Sequence, residues 1–123
     1  MCSKTELYNM INEIKIEIYD TKQDIMNINL AYQITHNNEK KKELELHLKF
    51  FENKLKYEKL LLLLAEKEYN GTMNDKLRDM LKNKRKENIV ERMELVEEFT
   101  EKGFFKDGDY LHLSNKCKRM YEL

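Results

Sequence analysis

Three histidines and two cysteines are the residues of this chain best suited to hold a metal or act as nucleophiles, and their spacing serves neither purpose. His36, His47 and His112 fall in three separate segments, and Cys2 and Cys117 lie near opposite ends. A structural zinc site needs four converging donors. The chain has no Cys-x-x-Cys, His-Glu-x-x-His or Glu-x-x-His spacing. Glu43 and His47 share a helix face, but an i,i+4 pair on an exposed helix is usually only an ion pair. The 23 Asp and Glu residues are too many to single out two for acid–base work. Gly71, Gly103 and Gly108 each sit where a cap or turn needs glycine, which leaves no phosphate-binding loop. The expectation is a protein with no enzymatic activity, no metal and no cofactor.

Composition narrows the classes further. The chain has 123 residues, 23 basic and 23 acidic, so its net charge is zero. A strongly cationic nucleic-acid or membrane binder would look different. Charged residues make up 37% and the mean hydropathy is -0.83, which suits long exposed helices better than a large core. Proline is absent, as unbroken helices require. The densest apolar run, Leu60 to Ala65, is far shorter than the roughly 20 residues of a membrane span. The first residues lack the apolar core of a signal peptide. A cytoplasmic, intracellular protein with two free thiols is therefore expected. Asn70-Gly71-Thr72 matches a glycosylation sequon, but Gly71 reads better as a left-handed helix cap.

The elements that would position any site begin with two long helical patterns, to about Thr35 and from about Glu39 to Tyr69. Leu7, Ile11, Ile14, Ile18, Thr21, Ile25, Ile28 and Tyr32 step by four and three without a slip. Leu44, Leu48, Phe51, Leu55, Glu58, Leu62, Ala65 and Tyr69 keep the same rhythm. Each set is a coiled-coil seam, interrupted only by Thr21 and Glu58. Folding the chain at Asn37-Asn38 pairs Tyr32 with Leu44, Ile25 with Phe51, Ile18 with Glu58 and Leu7 with Tyr69 on one register. This predicts an antiparallel α-helical hairpin over residues 1–70. Each arm has roughly 30 residues and is about 45 Å long. Glu58 is expected either at a dynamic point of the stalk or beside a cation outside the seam.

The second helix has apolar residues left over. Phe50, Tyr57, Leu61 and Leu64 form another stripe, which something must cover. They are the candidate partner or dimer face, and the C-terminal third or a second copy of the chain could supply the cover. The C-terminal third, packed at the open end of the hairpin, is the favoured one, with a homodimer as an addition. The Lys40-Lys41-Lys42 run marks the hairpin tip.

After Gly71, Thr72 or Asn74 can cap a third helix carrying Leu77, Met80 and Leu81. A polar stretch, Lys82 to Asn88, separates it from a fourth pattern with Ile89, Val90, Met93, Val96 and Phe99, ending at Gly103. The two also fit one continuous helix with a polar middle. The segment Gly103 to Leu113 reads as a β-hairpin turning at Asp107-Gly108. Ser114 then caps a short last helix carrying Cys117, Met120 and Tyr121. Helix, strand, tight turn, strand and helix, from Glu91 to Ser114, resemble the second half of a winged-helix domain. The resemblance implies a small α+β module over residues 71–123 in a mainly α chain. It makes the helix before the ribbon the recognition helix.

The residues of that helix argue against groove binding. Glu87, Glu91, Glu94, Glu97, Glu98 and Glu101, against Arg92 and Lys102, would repel a duplex. Basic residues sit elsewhere, at Lys82, Lys84, Arg85 and Lys86 and at Lys116, Lys118 and Arg119. Two functions are therefore carried forward. The first is a non-enzymatic interaction module, a small adaptor, regulator or inhibitor that presents the hairpin and acidic helix to a protein partner. The size and composition would suit a phage- or virus-encoded protein. The alternative is a dimeric winged-helix transcriptional regulator that binds nucleic acid through the basic residues.

Overall fold

The computed structural model describes residues 3–103. They form three α-helices and no strand. α1 is Lys4–Ile34, α2 is Asn38–Tyr69 and α3 is Asp75–Glu101. Each helix starts where its sequence offers a side-chain acceptor for orphan N–H groups. Ser3 accepts from Glu6 N at 3.1 Å, Asn37 from Glu39 N and Lys40 N, and Asn74 from Leu77 N at 2.8 Å. α2 ends in a Schellman motif. Thr72 N donates to Lys67 O at 3.0 Å and Gly71 N to Glu68 O at 3.2 Å, with Gly71 at φ 68°. That left-handed φ is the reason a glycine follows the helix.

α1 and α2 form the expected antiparallel hairpin. Its register matches expectation to within one residue at both ends. Tyr8 and Tyr69 pair with ring centroids 6.4 Å apart, and the Tyr32 hydroxyl donates to Glu45 at 3.0 Å. Between them, Ile11, Ile14 and Ile18 bury with Ala65 against Leu55, Leu61, Leu62 and Tyr69. At the tip, Lys40 pairs with Glu43 at 3.4 Å and Lys41 lies over the Tyr32 ring, so two of the three lysines have partners within the chain.

The winged-helix expectation is overturned. That fold needs two short helices before its ribbon, whereas residues 75–101 form one unbroken helix through the polar stretch Lys82 to Asn88. Good helix formers fill that stretch, with no glycine or proline to break it. The β-hairpin expected over residues 104–113 and the helix expected after Ser114 lie outside the described residues. Nor is α3 confined to the open end of the hairpin. It runs antiparallel to α2, from the Arg78–Glu68 ion pair at 2.8 Å to the His47–Phe99 ring contact at 4.8 Å. Among the described residues, α1 and α3 both pack on α2 and not on each other, so α2 is the middle of an open three-helix layer.

The α2–α3 core joins Leu46, Phe50, Val96 and Phe99, with Phe51 at its edge. Phe51 is half-buried and meets Phe50 edge-on. Phe99 is 1% exposed. Phe99→Ala should therefore cost about 3–5 kcal/mol in urea unfolding, and Phe51→Ala clearly less. Equal losses would show that α3 is not seated as described.

Candidate functional site

The two interruptions in the hairpin seams meet each other. Thr21 Oγ1 donates to Glu58 Oε1 at 2.6 Å, and both residues are buried, at 0% and 2% exposure. The expected neighbour of Glu58 was Ile18. In an antiparallel pair a side chain lies between residues one turn apart on the facing helix, and Glu58 takes the turn that carries a hydroxyl. The partner is therefore this hydroxyl within the seam, not a cation outside it. Glu58 Oε2 is buried with no hydrogen-bond partner among the described residues. Burial raises the carboxyl above its ordinary range, against the opposing pull of the Thr21 hydrogen bond and the Lys54 and Arg92 charges.

A second polar cluster joins α2 to α3. Asn53 Nδ2 donates to Asn88 O at 3.0 Å, and Asn88 Nδ2 donates to Asn53 O at 3.1 Å. Arg92 Nε donates to Asn53 Oδ1 at 2.7 Å. The guanidinium lies 5.3 Å from the Phe50 ring centre and 5.7 Å from that of Tyr57. All three polar side chains are buried. Sequence periodicity passed over them because it counts apolar positions. The available signal was placement: Asn53 falls within the Phe50–Tyr57 stripe, and Arg92 is flanked a turn away by Ile89, Leu95 and Val96. This cluster specifies register and carries no group positioned for chemistry on a substrate. Among the described residues no three metal-binding side chains gather, and no helix is long and apolar enough to cross a membrane.

The residues expected at sites fall as follows. Phe50 and Tyr57 are buried beneath Arg92 of α3, and Leu61 and Leu64 are half-buried. Glu91, Glu94, Glu97 and Glu101 are exposed, and Glu98 is half-buried beside Lys102 at 3.2 Å. Glu87, Glu91, Glu94, Glu98 and Glu101 step by four and three along one line of α3. That line lies about a third of a turn from Leu81, Asn88, Arg92 and Phe99, so it is an acidic ridge along the flank of α3, with Glu87 and Glu91 lining a groove shared with Lys56 and Lys59 of α2. Lys82, Lys84 and Lys86 are exposed and Arg85 is half-buried. At i, i+3 and i+4, Lys82, Arg85 and Lys86 share one face of the helix, while Lys84 lies toward Glu87 and Glu91. Lys116, Lys118 and Arg119 lie outside the described residues. The extra apolar residues of the first helix, Tyr8, Met10, Ile16 and Tyr19, point by sequence to a buried base of the hairpin, yet they are 40–63% exposed, and Met26, Leu30 and Ile34 further along α1 are 48–76% exposed.

Comparison with protein-family models, with curated proteins and with solved structures finds no significant match.

The buried seam pair yields two predictions. Thr21→Val removes the donor and should cost about 1–3 kcal/mol, whereas adding Glu58→Leu removes both polar partners and should restore most of that loss. A double variant no more stable than Thr21→Val in urea unfolding would contradict the pairing. The second concerns pH. The folded-state pKa of Glu58 is raised, so the folded protein binds this proton more tightly than the unfolded chain does. This contribution to stability is full below the ordinary glutamate range and is lost as pH rises through the raised value. Glu58→Gln should remove that part of the pH dependence, measured by unfolding between mildly acidic and neutral pH.

Proposed function

We propose that this chain is a non-enzymatic protein-interaction module in which the helical hairpin holds α3 and presents its acidic ridge to a basic surface of a protein partner. The observation that carries the reading is the alignment of Glu87, Glu91, Glu94, Glu98 and Glu101 along one flank of a helix anchored on α2 by Asn88, Arg92 and Phe99. Five carboxylates on one line raise the local negative potential and steer cationic partners. The α3 anchor keeps that line in place without drawing on the ridge residues themselves. Nucleic acid is the less suited partner. The ridge repels phosphates, and the cations that share a face of α3 are only three, Lys82, Arg85 and Lys86, with Arg85 half-buried.

The test uses the full chain and a variant with the five ridge glutamates replaced by glutamine as parallel baits, at low and at high salt. The expected result is a protein retained by the native chain at low salt and lost on the variant, with duplex DNA retained by neither. Identical retention on both baits, or DNA bound by the native chain, would overturn the reading.

A further inference from the structure

The outer side of α1 carries a second seam, distinct from the one that faces α2. Ile16, Tyr19, Gln23, Met26 and Leu30 step by three, four, three and four, the spacing of alternating a and d positions. Ile16 and Tyr19 are each 63% exposed, Met26 is 48% and Leu30 is 54%. Nothing among the described residues covers them, since α1 packs on α2 alone. The flanks of this seam differ in sign. The e positions carry Glu6, Glu13 and Asp20. The g positions carry Lys15 and Lys22. All five side chains are exposed.

That asymmetry selects the occupant and its direction. We propose that the outer seam of α1 is the interface of a homodimer in which the α1 helices of two copies pair parallel and in register. In a parallel pair, the g edge of one helix meets the e edge of the other, five residues further on. Lys15 then faces Asp20 of the second copy, and the two-fold axis repeats the pair. An antiparallel pair would set lysine edge against lysine edge and acid against acid. Register is marked too. Gln23 is the one polar residue within the seam, and in the parallel arrangement the two Gln23 amides meet across the axis. A single polar residue at an a position is a known device for fixing register. Two heptads would be marginal for free peptides, which must form their helices on pairing. Here α1 is already held by the hairpin, so pairing does not carry that cost. The interface lies on the opposite side of the hairpin from α3. It is therefore independent of the proposed function, and either can fail alone.

The experiment begins with the mass of the full chain, by light scattering behind a sizing column across micromolar concentrations. A concentration-dependent dimer is expected. Lys15→Glu should weaken it about tenfold, Asp20→Lys should do the same, and the two together should restore it, because the pair is swapped rather than broken. A second readout uses Gln23→Cys with Cys2 and Cys117 changed to serine. Parallel, in-register helices bring the two new thiols together, so oxidation should yield a disulfide-linked dimer. An antiparallel pair places Gln23 opposite Met26 and keeps the thiols apart. A monomer at every concentration, a dimer indifferent to the charge swap, or a dimer that fails to cross-link through position 23 would each overturn the proposal.

Discussion

A helix that is apolar on two sides cannot stand in water unless both sides are covered, and α2 is such a helix. Leu44, Leu55, Glu58, Leu62 and Ala65 lie on one side and Leu46, Phe50, Asn53 and Tyr57 on the other, roughly a third of a turn away. One neighbour can cover only one of these stripes. The chain answers with two neighbours: α1 takes the first stripe and α3 the second. The rest of the architecture follows from that demand. α1 and α3 never need to touch, and among the described residues nothing packs on the outer side of either.

Each contact with α2 combines apolar burial with one polar fixture. In the hairpin it is Thr21–Glu58. Between α2 and α3 it is the exchange of amide hydrogen bonds between Asn53 and Asn88, completed by Arg92. Apolar contacts are non-directional and would accept a slip of one turn at modest loss. A buried carboxyl or guanidinium would not, because a slip leaves it without its hydrogen bond in a medium that solvates it poorly. The fixtures thus hold the helices in one register, which in turn determines which glutamates line up along the flank of α3.

The free sides differ in character. That of α3 is acidic, and that of α1 is apolar between an acidic and a basic edge. An acidic line suits a cationic partner. An apolar seam with edges of opposite sign suits a copy of itself. Binding would thus sit on two surfaces separated by the thickness of the layer, with no shared residue.

The hairpin was legible from sequence because heptad spacing is a local property, and both seams, the turn at Asn37-Asn38 and the cap at Gly71 could be counted off the chain. The existence of Thr21 and Glu58 as breaks was legible as well. Their partnership was not, since it depends on which of two adjacent turns a side chain enters. The winged-helix expectation failed for a related reason. The polar stretch from Lys82 to Asn88 looks like a boundary when only apolar residues are counted, yet its residues are good helix formers, and Asn88 is anchored on Asn53. Sequence alone determined the lengths of α1 and α2, their antiparallel pairing and the glycine that ends α2, because those rest on spacing and on residues next to one another. Only the tertiary structure decided where α3 lies, which polar groups are buried together and which side of each helix faces out, because those depend on contacts between residues more than thirty positions apart.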